Sequence, residues 1–523
     1  MRKDNISWGE SEMKTLSPLY YVPLMLTNFQ TIEINIRDQF GSPAPFASGT
    51  LTESLGKREG EGKHTRYDMT HYMQLYENQL GGEGIETIYR GAPHQRGHGI
   101  GSFLEGLFRR ILRLLSSGAP AVGREALRAE LNVMTDTSIE AGQWVHQKPV
   151  SSLTDDSPIE FVVPGNGDEY IDLAHAMLSV RVKLQPTAPG PPADEGNATT
   201  PHVTPVNNLL HSMFNQVDIF FNQKLVSPAN NSYAYRAYIE TLLNYAPPAR
   251  KSYLSSALWY DSEEGVSDIY DADAVGADRG SIDLKRVMSN ARTVDLIRHL
   301  HCDVFNEDKF LLNGVELYLR LERSRDSFCI MEAENRHKLH ILETSLLIRR
   351  MKISPGILLA HARTLTKGTA KYPVTRDEVK SFTIHAGVQA ETLDNVILGQ
   401  LPKRVIIGFV PTKPLQMSFG KDDLYVDAYH TLFSGTGIHF LNERNGIDRQ
   451  QFAKGNCLLA FDLTRDLSAN CTSHWSLIKH GTLRVEVRFD DALKETVNCL
   501  VYAEFDNLIE VDAARQVITD FSG

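Results

Sequence analysis

The sequence has five cysteines, Cys302, Cys329, Cys457, Cys471 and Cys499, and no two of them form a CxxC pair. That excludes a zinc ribbon and a thioredoxin-type redox motif. An odd count without a leader-like start points to reduced thiols in a reducing compartment. The expected location is therefore the cytoplasm or nucleus of a host cell, not the secretory route. On that reading the N-x-S/T matches at Asn5, Asn197, Asn230 and Asn470 are chance. Long apolar runs are missing too. Leu16–Phe29 is apolar but broken by Pro18 and Pro23, and no stretch reaches the ~18 residues of a membrane-spanning helix. Excess positive charge is also absent. With 54 Lys and Arg against 65 Asp and Glu, the formal net charge is −11, which argues against nucleic acid as a whole-chain partner. Catalytic signatures fail as well. Gly60-Glu-Gly-Lys63-His64-Thr65 has His64 where a P-loop needs Ser or Thr, and Gly97-His-Gly-Ile-Gly101 lacks the third glycine of a dinucleotide fingerprint. No HExxH, GxSxG or deaminase pattern occurs.

What remains is 523 residues with 42% hydrophobic content, enough for a sizeable core and for two to four domains of roughly 150 residues. Residues 1–96 read as largely disordered or linker, with Gly, Ser, Pro and charge crowded into 41–66. The character then changes. Ile100, Phe103, Leu104, Leu107, Phe108, Ile111, Leu112 and Leu115 recur at spacings of three and four, which is one apolar helix face, and Arg109, Arg110 and Arg113 flank it. Residues 97–135 are therefore expected to be a basic amphipathic helical segment. Its apolar face either packs in a core or meets a membrane or partner. The contact candidates are Ile100, Phe103, Leu104, Leu107, Phe108, Ile111, Arg109, Arg110 and Arg113.

From Ile159 onward the period becomes two. Leu178 to Leu184, Val315 to Leu321 and Leu483 to Phe489 each alternate apolar with polar residues, as antiparallel strands with one wet face do. Val217–Phe221, Val405–Val410 and Cys457–Leu463 fit strands buried on both faces. Helices are expected only at Tyr233–Tyr245, Leu284–Leu300 and Tyr425–Phe433, and Gln185–Pro205 reads as a long loop. Many short strands with few helices predict antiparallel sandwiches. A faint echo joins Tyr235–Leu243 followed by Val315–Leu321 to Asp427–Phe433 followed by Leu483–Phe489, the order that two similar β-units in tandem would produce.

Two clusters invite chemistry. His299, His301, Cys302 and Asp303 could be metal ligands, but the bland reading is a strand with surface histidines and a buried thiol. Asp490, Asp491, Glu504, Asp506, Glu510 and Asp512 offer paired carboxylates, with a solvated face as the simpler account. No catalytic, cofactor-binding or metal-binding residue is assigned, and no cofactor is expected.

Several segments carry a resemblance. Ser157-Pro-Ile-Glu-Phe161, Asp168–Leu173, Leu210-His-Ser-Met-Phe-Asn-Gln-Val-Asp218, Tyr235–Leu243, Asp308–Leu321, Ala370-Lys-Tyr-Pro373, Leu398-Gly-Gln-Leu-Pro402 and Val501–Glu510 resemble a set of uncharacterised proteins of invertebrate genomes. Those proteins in turn look similar to double-jelly-roll major capsid proteins of large DNA viruses and Polinton (Maverick) elements. Tyr89–Ala92, Gln95–Phe108 and Gly123–Arg128 resemble small minor capsid proteins of Polintons and adenovirus-like elements. One departure stands out: only a few residues separate Ile406–Phe409 from Pro414–Gln416, where that set has a longer stretch. The second unit is therefore expected to be short by a strand or two.

The resulting expectation is an all-β chain: two tandem antiparallel jelly-roll sandwiches at 150–350 and 375–515, with a few short helices, preceded by a partly disordered, helical N-terminal segment. The expected function is that of a non-enzymatic capsid-like structural protein of an endogenised virus or Polinton-like element, with virion as its location if the element is active. Its partners would be copies of itself, as a homotrimer and higher assembly, and a membrane through 97–118. Oligomer-contact candidates are Tyr235, Tyr238, Ile239 and Leu242, since Tyr233–Tyr245 carries more apolar surface than one wet helix needs. The alternatives are a domesticated cellular β-sandwich binding module and, remotely, a jelly-roll carbohydrate-active enzyme. A peptide of residues 97–118 is expected to bind anionic vesicles and become helical there, and replacing Phe103, Leu107 and Ile111 with Ser should abolish binding. Circular dichroism and vesicle co-sedimentation at low salt test this, and no affinity for the unaltered peptide would leave the face as core or partner surface.

Overall fold

The computed structural model describes residues 31–38, 139–154, 157–187, 203–228, 232–261, 279–288, 292–332, 337–411, 425–438, 445–465, 467–470, 480–489 and 491–519. The amphipathic face from Ile100 to Leu115 and most of the Gln185–Pro205 loop lie outside these residues. Within them, strands dominate and every strand pair is antiparallel.

The first sandwich uses β2 (Ile139–Gln147), β3 (Ile159–Val163), β4 (Glu169–Pro186), β6 (Phe214–Phe221), β7 (Lys224–Leu225), β8 (Thr293–Arg298), β9 (Leu317–Arg323) and β11 (His337–Ile353). A two-residue ribbon of β5 (Thr204–Pro205) and β10 (Ile330–Met331) lies apart. One sheet runs β2-β11-β4-β8 and the other β3-β9-β6-β7. Counted along the chain without the ribbon, the orders are first-eighth-third-sixth and second-seventh-fourth-fifth. That interleaving is the double Greek key of a jelly roll. The alternation in β9 works as its sequence predicts: Leu317, Leu319 and Leu321 are fully buried, and the residues between them are half-exposed.

The second sandwich uses β12 (Ala370–Ile384), β13 (Ala390–Gln400), β14 (Arg404–Pro411), β15 (Leu458–Asp462), β16 (His480–Arg488), β17 (Val497–Val511) and β18 (Val517–Thr519). One sheet runs β12-β17-β14-β15, with β18 on β17. The other runs β1-β16-β13, where β1 (Thr31–Asp38) comes from the stretch read as linker. With the fourth and fifth places left open between β14 and β15, the first of these sheets again runs first-eighth-third-sixth. Among the described residues, the span between β14 and β15 holds helices α3 (Val426–Thr436) and α4 (Arg449–Lys454) where the first sandwich has β6 and β7. Gly435 fits α3 onto β15, because a Cβ there would lie 2.1 Å from the Ala460 carbonyl oxygen. Gly437 closes the helix at φ +74, the left-handed value glycine adopts without strain.

Two expected elements differ. Leu284–Leu300 is not one helix: a helix ends at Met288 and β8 follows, where Thr293, Val294 and Ile297 favour the extended chain. Helix α2 (Pro355–Leu365) was not expected. It starts at Pro355, whose fixed φ suits a first turn, and leaves Leu359 half-exposed.

The two cores are not independent. β12 and β17 pair over their full 15-residue length. At one end Tyr372, Val374, Ile509 and Val511 pack in the first core. At the other, Val379, Ile384, Val501 and Phe505 pack in the second. A ribbon shared in this way couples the cores mechanically. Phe161→Ala in the first core and Phe505→Ala in the second, each costing about 3–5 kcal/mol, are expected to lower one common calorimetric transition. Two separable transitions that respond to one substitution each would sink the coupling.

Candidate functional site: a buried charge cluster between the sandwiches

Helix α1 (Tyr233–Asn244) lies between the two cores. Tyr233 and Ala237 belong to the first core, Ile239 and Leu242 to the second. Tyr235 and Tyr238 pack, half-buried, against the second. The oligomer-contact candidates Ile239 and Leu242 are thus covered by this chain itself. Much of the apolar surface seen in the sequence is thus covered within the chain, while Tyr235 and Tyr238 remain partly exposed.

The remaining face of α1 carries charge. Arg236 is buried and bonds three carboxylates from three parts of the chain. Its Nε donates to Glu240 Oε1 at 2.6 Å one turn along. Its Nη2 lies 2.6 Å from Asp303 Oδ1 and 3.1 Å from Asp377 Oδ2. Asp303 sits in the turn after β8 and Asp377 in the middle of β12, so this one guanidinium joins the first sandwich to the second. The Asp377 backbone N–H adds a bond to Asp303 Oδ1 at 3.3 Å.

A chain of neutral groups extends the cluster. A carboxylate only accepts, so His301 Nδ1 donates to Glu240 Oε2 at 2.7 Å. The other ring nitrogen then accepts from the Thr241 hydroxyl at 3.2 Å. The Tyr233 hydroxyl accepts from the His301 backbone N–H at 3.2 Å and donates to His211 Nδ1 at 2.9 Å. The His211 and His301 rings meet edge to face with centroids 4.7 Å apart. Both histidines fit this network in the neutral form.

The electrostatics agree. Burial holds His211 well below the usual imidazole range, with His301 adding to the effect. Burial also lowers His301, against the pull of Glu240. Burial opposes a charge on Glu240, yet Arg236 and His301 outweigh it and keep the carboxyl far below the usual range. For Asp303 and Asp377 burial wins over Arg236 and both are raised. Arg236 thus keeps Glu240 ionised, while burial, opposed by the same guanidinium, pushes the two aspartates towards protonation. Removing Arg236 would leave buried charge uncompensated, at about 3–5 kcal/mol.

A hollow of about 20 Å³ touches Arg236, His301, Cys302, Tyr233 and Val217. It has room for a water molecule, far short of the ~300 Å³ of a substrate pocket. The sequence cluster at 299–303 comes apart here. His301 and Asp303 join the Arg236 network, Cys302 is buried, and His299 bonds the Leu300 and Phe305 carbonyls at 2.7 and 3.0 Å. Among the described residues no group of three His, Cys, Asp or Glu is arranged to hold a metal ion. Burial pushes the thiols of Cys329, Cys457 and Cys499 up to about 12 and raises Cys302 as well, so none of the four supplies a thiolate at neutral pH. The C-terminal carboxylates are divided among separate partners. Glu504 takes two bonds from Arg404 Nη1, at 3.0 and 2.9 Å, while Asp506 meets Lys403 at 2.6 Å. Arg404 also donates to the Gly435 carbonyl at 3.0 Å, tying β14 and β17 to the end of α3. The candidates Ile100, Phe103, Leu104, Leu107, Phe108, Arg109, Arg110, Ile111 and Arg113 lie outside the described residues. Among those residues no helix is long and apolar enough to cross a membrane.

Fold and site together define a double-jelly-roll protein whose polar centre is structural in geometry. No protein-family model matches the chain. An uncharacterized protein of Caenorhabditis elegans is 23% identical over 436 residues, covering 74% of this chain and 99% of the relative. A chain in the 3.5 Å cryo-electron microscopy structure of the Sputnik virophage shares the fold at a TM-score of 0.50 and 10% identity, over 74% of this chain and 89% of that one. The major capsid protein of mavirus aligns over 77% of this chain and 95% of its own, with 11% identity and a TM-score of 0.39.

The cluster predicts a pH dependence. Above the ordinary imidazole pKa of 6.5, His211 is neutral in both folded and unfolded chains. Below it the unfolded chain binds the proton and the folded chain does not, so stability is lost as pH falls, by up to about 1.4 kcal/mol per pH unit for each such histidine. The raised aspartates act with the opposite sign, because their protonated folded forms lose stability as pH rises above the usual carboxyl range. The histidine contribution is therefore read as a difference. Urea unfolding between pH 7 and pH 5 should show a shallower loss of stability for His211→Gln than for the unaltered chain. Equal slopes would mean that His211 takes up its proton in the folded state.

Proposed function

We propose that the chain is a capsid-like structural protein of an endogenised virus or Polinton-like element, and that its activity is self-association, not catalysis. One observation carries this reading: a single chain holds two jelly rolls of like strand order, fused through the shared β12–β17 ribbon and locked at the Arg236 seam. The likeness to a virophage chain over most of the sequence supports it. The chemistry supports it too, since the buried histidines are neutral, the described thiols are protonated and the polar centre has room only for water.

The assembly we propose is a homotrimer that builds into a higher array. Two similar lobes per chain give a trimer a pseudo-hexagonal outline, a shape that tiles a shell. The number three comes from the resemblance to double-jelly-roll capsid proteins; the two-lobed block is this chain's own. We place the membrane contact, where it occurs, at residues 97–118.

Light scattering on the purified chain across a concentration series tests this. The expected mass is three times the 58.6 kDa of one chain. Negative-stain images should then show a three-cornered particle of six lobes. A monomer at every concentration up to ~100 μM, above the micromolar range of useful interfaces, would overturn the capsid reading in favour of a β-sandwich binding module.

A further inference from the structure

The two jelly rolls differ at one place. In the first, the seventh strand β9 lies between the second strand β3 and the fourth strand β6. In the second, the seventh strand β16 has the second strand β13 on one side, but its other neighbour is β1. The described residues between β14 and β15 contribute two helices and no strand. We infer that the outer edge of β16 is a strand-binding site, and that its occupant is Thr31–Asp38 of the same chain, which takes the fourth-strand position of the second jelly roll.

Register and sequence both support the assignment. β1 pairs with β16 over eight consecutive positions, from Thr31 opposite Arg488 to Asp38 opposite Gly481, without interruption. On the opposite edge, the β13 pairing slips between Leu393 and Ile397. Ile32, Ile34 and Ile36 stand opposite Val487, Val485 and Leu483, which are at most 1% exposed. Glu33, Asn35 and Arg37 stand opposite Glu486, Arg484 and Thr482, on the half-buried side of β16. Period-two alternation in β1 thus matches the pleat of its acceptor, and a one-residue slip would oppose every apolar position to a polar one. A bare edge of this length would be a template for unwanted pairing, so a sequence-matched strand both completes the sheet and blocks it. In added strands, main-chain bonds supply affinity and alternate side chains supply selectivity.

No hairpin ties β1 to β16, which are more than 400 residues apart in the chain, and residues 39–138 lie between β1 and the next described strand. The occupant is therefore separable from its site, and a free segment of the same sequence should compete for it. This inference rests on topology and register alone and stands apart from the capsid reading.

Hydrogen exchange with mass spectrometry on the full chain tests it. Asn35→Pro, which removes an N–H and breaks the register, should speed exchange of residues 480–489 at least tenfold and leave residues 169–186 unchanged. A synthetic peptide of residues 31–38 should slow it again. Unchanged exchange at 480–489 overturns the site. Mild oxidation of an Arg37→Cys, Thr482→Cys double variant identifies the donor. A disulfide within the monomer is expected, and Arg37→Cys with Glu486→Cys, four residues out of register, should give none. A disulfide-linked dimer would overturn the same-chain occupant and put a second copy's strand in its place.

Discussion

Everything in this fold turns on the guanidinium of Arg236. It is buried between two sandwiches and touches carboxyls from a helix, a turn and a strand that are distant in sequence. A charge taken out of water costs several kcal/mol unless its partners are well placed, so the cluster makes a modest net contribution to stability. Its effect is on geometry. Arg236 reaches Glu240, Asp303 and Asp377 together in a single relative placement of α1, the turn after β8 and β12. The Asn313–Arg515 contact repeats the lock at a second point, with Arg515 Nε donating to the Asn313 carbonyl at 2.6 Å. The shared ribbon prevents the lobes from separating and the charged seam prevents them from rotating.

Strands that lie wholly in one core were legible because their alternation is clean. β9 and β16 are examples, and the helical period of α1 was equally plain. The destination of α1 was not legible. A period of 3.6 reveals how many faces are apolar, but not whether the cover is a second molecule or a second lobe. The burial of Arg236 was hidden for the same reason, since only Glu240 is a local partner and Asp303 and Asp377 are distant in sequence. β12 was hidden by its own role. It passes from one core to the other through the polar seam, so its apolar residues at Tyr372 and Val374 are out of step with Val379. It also carries Pro373, which a strand tolerates at the edge of a sheet. The signal that could have found the seam is the charged run Arg376-Asp377-Glu378, which separates Tyr372 and Val374 from Val379 in the middle of β12.

The faint internal echo has a topological counterpart. Tyr235–Leu243 lies in α1, between the fifth and sixth strands of the first jelly roll, and Asp427–Phe433 lies in α3, between the third and sixth strands of the second. The strands that follow in the echo, β9 and β16, are the seventh in each. In both units a helix thus precedes the sixth strand and the echoed strand is the seventh. Where the units part company, between the third and sixth strands, the second has helices where the first has β6 and β7, and a strand from the N-terminus lies on the exposed edge.

These features bear on what such a chain can do. Its titratable centre is buried, with Asp303 Oδ2 and Asp377 Oδ1 left without hydrogen-bond partners inside it, and the four described thiols are held protonated by burial. Such groups are poor reagents but good fixtures. A rigid block with two lobes at a set angle offers two similar side faces in fixed directions. Repeated contacts in an array need that property, because an error in the angle between lobes would accumulate from one subunit to the next. Burial of a costly charge cluster is rational on those terms: it sacrifices some stability to define one orientation. The polar groups that fix this orientation lie behind α1, against β12 and β17, where each is held between the two cores.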